Sequence, residues 1–264
     1  MPQTHDDVSI LTLDASNYLT YLAQATVRFT NRTTEGQGVG DMNKKACITK
    51  KSCEVDLDLM SDNANCRVTG LDVSAFTIAS VDFKDVLQST SWTINNEFKE
   101  TDGVADTWAE RTWVNQGLSV TAECEIPTDA STLDDVILGA ASATLSSANA
   151  MVTLTINSVT VTWAMVVTQA EHVMNRGDVQ MWRFTLEGRG APSAPAGTAT
   201  LLAKALNGAG TNQALVLESK SSKGINYSGN FLPESVSFTV NKQDAVITAY
   251  KYVNNGAVTT AATA

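Results

Sequence analysis

The stretch Asp7-Val8-Ser9-Ile10-Leu11-Thr12 returns 65 residues later as Asp72-Val73-Ser74-Ala75-Phe76-Thr77, and this repetition is the main basis for predicting the fold. In the same frame ten positions between 7 and 62 are identical, whereas roughly three would match by chance in an ordinary composition. The identities beyond the quoted stretch are Leu22/Leu87, Asn31/Asn96, Glu35/Glu100, Val39/Val104, Asp41/Asp106 and Val55/Val120. A repeat at fixed spacing is typical of stacked or symmetric structural units rather than of one catalytic pocket.

A second repeat lies downstream at an offset of 66, where residues 164–190 align with residues 230–256. Its matched pairs are Asn175/Asn241, Arg176/Lys242, Asp178/Asp244 and Gly190/Gly256. The order of the pieces predicts one complete unit, 72–190, nested inside a second unit that is split into 7–62 and 198–256, with 257–264 as a flexible tail. The alternative is a single sheet system with four similar hairpins.

Composition favours strands over helices and argues against several classes of function. Thr, Ser, Val and Ala are abundant, and only 17% of residues are charged. The formal net charge of −10 would repel double-stranded nucleic acid, which disfavours groove binding. No apolar run is long enough to span a bilayer, and the first residues lack the regions of a signal peptide. We therefore expect synthesis in a cytosol and no membrane partner.

Alternating apolar and polar residues predict that most of the chain is strand. The predicted strands include Val8–Leu13, Gln24–Thr30, Cys53–Leu59, Ala75–Ile78, Ser89–Ile94, Gly117–Ile126, Met151–Ile156, Val159–Thr168, Val179–Leu186, Ala214–Glu218, Val236–Val240 and Ala245–Val253. Thr33–Lys45 and Glu97–Glu110 are polar and are predicted as loops. A helix is predicted over Ser131–Ala143, where acidic residues lie in the first turn, and a second short helix over Thr198–Leu206.

Catalytic and metal-binding motifs are missing from the sequence. The four cysteines form no C-x-x-C pair and have no histidine nearby, so we expect small buried hydrophobic side chains rather than a zinc site. No nucleophile-elbow, metalloprotease, P-loop or dinucleotide motif is present. The sequence therefore predicts no catalytic, cofactor-binding or metal-binding residues, no cofactor, and no enzyme activity.

Three stretches of the central unit resemble the major tail protein, or tail-tube protein, of long-tailed bacteriophages. They are Ser91-Trp92-Thr93-Ile94-Asn95, then Trp113-Val114-Asn115-Gln116-Gly117-Leu118-Ser119-Val120-Thr121-Ala122, and finally the closing strand Trp182–Glu187 that continues into Gly188-Arg189-Gly190-Ala191-Pro192. The order of these elements carries the resemblance more than any one motif. It covers roughly half of the chain, and the internal repeat extends it over most of the rest.

The resemblance implies an all-β subunit, a β-sandwich or barrel of the tail-tube type with one or two short helices. In that family, subunits form stacked rings whose inner sheets join into a tube through which DNA leaves the capsid. This implies a virion structural protein that assembles with itself and with other tail proteins, and that passes double-stranded DNA without specific binding. Two units per chain would allow three chains, instead of six, to build one ring.

Five acidic residues alternate along two equivalent predicted strands and are candidates for a lumen wall. They are Glu54, Asp56, Asp58, Glu123 and Glu125. Negative side chains there would repel phosphates and keep DNA from adhering as it passes. The equally simple interpretation is an ordinary solvated face of an antiparallel sheet.

Two polar loops are the candidates for contacts between subunits, because the resemblance implies that such loops touch neighbouring rings. Their candidate residues are Glu35, Asp41, Lys44, Lys45, Glu100, Asp106 and Trp108. Solvated loop ends and local packing of the tryptophan are the alternatives.

Two other classes of function compete with the tail-tube hypothesis. One is a non-enzymatic, two-domain β-sandwich that binds or decorates a virion or cell surface. The weaker one is an enzyme with a cleft between the two units. Hollow tubes or rings in electron micrographs favour the first hypothesis, monodisperse monomers favour the binding module, and a bound cofactor would favour the enzyme.

Overall fold

The fold is taken from a computed structural model that describes most of the chain. The described residues are 8–36, 45–60, 62–63, 66–67, 73–101, 103, 106–126, 131–138, 150–156, 159–174, 179–189, 210–220, 224–242, 244 and 246–262. They form sixteen strands, one α-helix and one short 3₁₀ turn. The predicted all-β class is therefore confirmed.

The strands fall into two sets of seven and one small hairpin. The first set is β1 (Val8–Leu13), β2 (Ser16–Asn17), β3 (Leu22–Gly36), β4 (Lys45–Met60), β14 (Gln213–Ser219), β15 (Ile225–Asn241) and β16 (Ile247–Ala262). The second set is β7 (Val73–Ile78), β8 (Val81–Asp82), β9 (Leu87–Glu100), β10 (Arg111–Glu125), β11 (Ala150–Ile156), β12 (Val159–Val173) and β13 (Met181–Gly188). The hairpin is β5 (Asp62–Asn63) with β6 (Cys66–Arg67), the α-helix is α1 (Ser131–Leu138), and the 3₁₀ turn is Leu19–Tyr21.

The two sets have the same hydrogen-bonding order. The first set pairs as β2-β1-β14-β15-β16-β4-β3, and the second as β8-β7-β11-β12-β13-β10-β9, always antiparallel. Even the first hairpin turn agrees, because Asp14 and Ala15 have the same left-handed backbone as Ala79 and Ser80, 65 residues later. We call positions equivalent when they occupy the same place in both sets.

One further pairing, β9 with β15, joins the two sets into a 14-stranded sheet. Strand β15 is shared, since its first half pairs with β14 and its second half with β9. Eight strands consequently run side by side in the order β3-β4-β16-β15-β9-β10-β13-β12, which we call the ribbon. The ribbon carries the candidate site.

Alternate residues on the ribbon strands are buried and form one continuous hydrophobic cluster with the shorter strands. In β4 the buried side chains are Cys53, Val55, Leu57 and Leu59, whereas the residues between them are half-buried and polar. Helix α1 buries Leu133 and Ile137 in the same cluster. This period-2 pattern makes the opposite face of the ribbon polar.

Several predicted boundaries differ from the structure. Thr33–Gly36 and Lys45 belong to long strands, although they were predicted as loop, because β3 and β4 satisfy each other's backbone hydrogen bonds almost to the end of the hairpin. Residues 257–262, predicted as a flexible tail, continue β16 and pair with the start of β15. The described helix ends at Leu138, and the second predicted helix lies outside the described residues.

Candidate assembly surface

The five acidic lumen candidates all lie on the polar face of the ribbon. Glu54, Asp56 and Asp58 belong to β4, and Glu123 and Glu125 belong to the equivalent strand β10. Buried residues alternate with them in both strands, so the structure brings the five together on one side of the sheet. Whether that side faces a lumen stays a prediction.

Most of these carboxylates have partners on neighbouring strands. Arg28 of β3 bridges Asp56 at 2.7 Å, and Lys251 of β16 lies 3.5 Å from Glu54. In the second set Arg183 of β13 pairs with Glu123. These side chains are about one-third exposed or more, so each pair contributes modestly to stability.

Lys251 also bridges Glu234 at 2.6 Å, and the pKa of Lys251 is raised, chiefly by this hydrogen bond. Its ammonium group therefore stays charged throughout the neutral range. The polar face carries both signs of charge in an ordered pattern, with carboxylates in excess.

Two shallow depressions occupy equivalent places on this face, with volumes of about 260 and 290 Å³. The lining of one includes Ser89, Ser91, Thr121, Glu123, Gln169, Glu171, Arg183 and Thr185, and the lining of the other includes Gln24, Thr26, Asp56, Asp58, Ser235, Ser237, Ala249 and Lys251. No group of His, Cys, Asp or Glu that could hold a metal ion occurs in the part of the chain that the structure describes.

The seven candidate loop residues lie in several different surroundings. Glu100 receives two hydrogen bonds from Arg32, at 2.8 and 3.2 Å, and this salt bridge joins the two strand sets. Asp106 accepts a hydrogen bond from the Gly103 amide within its own turn. Glu35 and Lys45 lie in β3 and β4, and Asp41 and Lys44 lie outside the described residues.

Trp108 packs against strand β4 of the other strand set. The Nζ atom of Lys51 lies 5.9 Å from the centre of its ring, and the Lys51 backbone bonds to Thr107 and Ala109 on either side. The loop that holds Trp108 thus connects the two sets within one chain. Its role between chains stays a prediction.

Behind this loop, Asn254 of β16 is completely buried in a polar cluster. Its side-chain oxygen accepts hydrogen bonds from the Cys53 amide at 2.8 Å and from Arg111 Nη1 at 3.1 Å. Arg111 Nη2 donates to Ser52 Oγ at 2.9 Å, and burial lowers the pKa of the guanidinium. Through these hydrogen bonds the cluster links β10 of one set to β4 and β16 of the other.

The junction between β9 and β15 contains seven residue pairs, from Ser235 opposite Asn95 to Asn241 opposite Ser89. On its core side, Trp92 stacks on Phe238 and Ile94 lies opposite Val236. The Asn96 side chain extends the junction by donating to the carbonyl of Pro233 at 2.7 Å.

The strand edges equivalent to this junction are unpaired within the described residues. The strand equivalent to β9 is β3, which pairs only with β4. The strand equivalent to β15 is β12, whose residues from Gln169 to Val173 pair only with β13. Each chain therefore presents one open edge of each kind, at opposite ends of the ribbon.

These open edges expose apolar side chains that are buried at the junction. Phe29 of β3 is 47% exposed, whereas its equivalent Ile94 is fully buried. Met174, directly after β12, is 66% exposed, whereas its equivalent Val240 is buried. Sequence reasoning missed this surface, although the offsets of 65 and 66 would have located it once the junction was known.

Comparison with known proteins finds weak structural similarity and no sequence match. No protein-family model matches the chain, and no curated protein matches it. Among solved structures, it is similar to a chain in the virion of a native gene transfer agent particle, with a TM-score of 0.38 and 13% identity over 50% of this chain and 98% of that chain. A chain in the tail of an empty gene transfer agent particle with C6 symmetry gives 0.36 and 11%, with the same coverage.

Across the described residues, no helix has the length and apolar character needed to cross a membrane.

Proposed function

We propose that this protein is a structural subunit of a phage-type virion tail, and that copies of it form closed rings that stack into a tube for DNA. One observation carries the proposal. Two strand sets with the same pairing order are joined at β9 and β15, and the equivalent edges, β3 and β12, are open at the two ends of the ribbon. An internal duplication accounts for this arrangement.

Open edges at both ends favour a head-to-tail interface between copies. Unpaired strand edges are normally protected against association, yet β3 is long and exposes Phe29. A heterologous interface that repeats the internal junction generates a ring when the rotation closes. Since each chain supplies two equivalent strand sets, three chains would give a ring with six of them.

In such a ring the polar face of the ribbon would line the lumen. Acidic side chains outnumber cationic ones there, and the cations Arg28, Arg183 and Lys251 are each paired with a carboxylate. Most of the remaining lining residues are Ser or Thr. Like charge repels the phosphates of passing DNA, and short hydroxyl side chains offer no cationic group that could hold it. The face would therefore allow transit without specific binding.

Electron microscopy of the purified full-length protein, together with mass measurement of the assembled particles, tests the proposal. We expect rings or hollow tubes with three chains in each ring. Six chains in a ring would contradict the threefold arrangement while keeping the tube. A monodisperse monomer at all concentrations would instead favour a binding or decoration module.

A further inference from the structure

We infer that Arg28 of one copy and Glu171 of the next lie directly opposite each other at the ring joint, within a row of alternating charges that fixes its register. This inference rests on the proposed ring assembly and adds the residues that align neighbouring copies. The occupant of the open edge of β3 is a second copy of this chain, seated through β12.

The internal junction supplies the register, because it shows how an edge of the β9 type pairs with one of the β15 type. Ser237 lies opposite Thr93 there. Subtracting the offsets of 66 and 65 converts this pair into Glu171 opposite Arg28. The local geometry agrees, since β12 has a bulge between Val167 and Gln169 at the same place as the bulge in β15 between Pro233 and Ser235.

Both residues already have charged cross-strand neighbours inside their own chains. Arg28 lies opposite Glu54 of β4, and Glu171 lies opposite Arg183 of β13. Arg183 in turn lies opposite Glu123 of β10. Joining the edges in this register creates the row Glu54, Arg28, Glu171, Arg183, Glu123 across five adjacent strands. Every neighbour in that row has the opposite sign, which is the favourable arrangement for cross-strand pairs.

No nearby alternative register produces this row. A slip of two residues places Arg28 opposite Gln169 or Val173, neither of which is charged. A slip of one residue turns the apolar side chains of the strand onto the polar face. Arg28 and Glu171 are both exposed in the single chain, so their charges are accessible to a neighbour.

The core side of the joint is complementary in size. The same register places Phe29 opposite Ala170 and Ala25 opposite Met174, so that a large side chain meets a small one in both pairs. Val27 then lies opposite His172, whose ring already stacks on Trp182 at 4.7 Å. The register also places the Asn31 side chain next to the Val167 carbonyl. In the internal junction the equivalent Asn96 donates a hydrogen bond to the Pro233 carbonyl.

Charge reversal with matched rescue tests the register. The critical concentration for ring or tube assembly is measured by sedimentation for wild-type protein, Arg28→Glu, Glu171→Arg and the double variant. We expect each single reversal to raise the critical concentration about tenfold, since like charges then meet across the joint. The double variant is expected within about twofold of wild type. The reversed side chains also repel like charges on neighbouring strands of their own chain. This repulsion is the same in the free and the assembled chain, so it does not change the critical concentration.

A two-residue slip is the matched control. Arg28→Glu combined with Gln169→Arg introduces the same new side chain two residues out of register and leaves Glu171 facing the new glutamate, so assembly should remain nearly as poor as in Arg28→Glu. Rescue by Gln169→Arg instead of Glu171→Arg would overturn the register. Circular dichroism and thermal unfolding identify variants that fail to fold, and the milder Arg28→Gln and Glu171→Gln then replace them, with about a threefold rise expected.

The outcomes separate the two proposals. Wild-type rings together with variants that all assemble like wild type would overturn the charge row and leave ring formation intact. Wild-type protein that forms no rings would overturn ring formation itself.

Discussion

Trp92 of β9 stacks on Phe238 of β15, with ring centroids 6.0 Å apart and ring planes at 12°. Both side chains are buried, and they belong to different strand sets. The junction between the sets is thus part of the hydrophobic core rather than a surface contact. This relationship makes folding of the two sets interdependent.

Trp92→Ala is expected to lower the free energy of unfolding by about 3–5 kcal/mol, because it leaves a large cavity at the junction. Denaturant unfolding followed by circular dichroism measures the loss. Val27→Ala is the matched control, since Val27 is equivalent to Trp92 but only half-buried on the open edge. We expect it to cost about 1 kcal/mol in the single chain. Equal losses in both variants would contradict a shared core at the junction.

Asn254→Ala is expected to destabilise the chain by about 2–3 kcal/mol, because it leaves the buried Cys53 amide without its acceptor and removes one of the hydrogen bonds of Arg111. Chemical denaturation again provides the measurement. Asn241→Ala removes an exposed hydrogen bond to Asp244 and should change stability by less than about 0.5 kcal/mol. If Asn254→Ala lowered the free energy of unfolding as little as Asn241→Ala does, the cluster would not stabilise the packing of these strands.

Reversing charge on the polar face is expected to make assembled tubes retain DNA. Asp58→Lys with Glu125→Lys adds cations to the proposed lumen, and phosphate attraction should then be strongest at low salt. Co-sedimentation of DNA with tubes at two salt concentrations measures retention. Asp135→Lys, an exposed residue of helix α1, supplies a change of the same sign on another element. Retention by the control alone would contradict the lumen assignment.

Alkaline pH is expected to destabilise the fold. Burial raises the pKa of Cys53 and Cys124 from the ordinary value of 9.0 to about 12, and burial also raises the pKa of Tyr250 and Tyr252. Because the folded chain holds these protons more tightly than the unfolded chain, the stabilisation is complete below pH 9 and declines as pH rises toward 12. Urea unfolding at several pH values checks this.

The double variant Cys53→Ala with Cys124→Ala isolates the thiol contribution to that decline. The loss of stability that begins near pH 9 should become smaller, while the tyrosine contribution, which begins near pH 10, remains. An unchanged decline between pH 9 and 10 would show that the thiols do not contribute.

The sequence predicted the fold class and, in strands such as β4, which residues share a face, but not which strands are neighbours. Val8–Leu13 was predicted with correct ends, and the alternation in β4 placed Asp56 and Asp58 on the polar face. Period-2 patterns specify burial, which is a local property. The pairing of Arg28 with Asp56, or of β9 with β15, depends on contacts between residues far apart along the chain.

Strand ends were the least predictable feature for a related reason. Residues 257–262 have small side chains, mainly Ala and Thr, which is typical of a terminal extension, yet they pair with the start of β15. Backbone groups make those hydrogen bonds, and Val258 is the one buried side chain of the segment, so the sequence carries little signal of the pairing. The candidate residues Glu100 and Trp108 were selected from loop position, and their partners Arg32 and Lys51 became visible only in three dimensions.

Strands β9 and β15 belong to the same polypeptide chain, and this has a consequence for the rate of ring assembly. In a ring built from repeated junctions of this type, every second joint forms while the chain folds and needs no encounter between molecules. Two encounters followed by closure then complete a ring that would otherwise need five encounters, so the concentration dependence of nucleation becomes less steep. Dilute subunits of the proposed ring would therefore close at concentrations where six separate halves would remain dispersed.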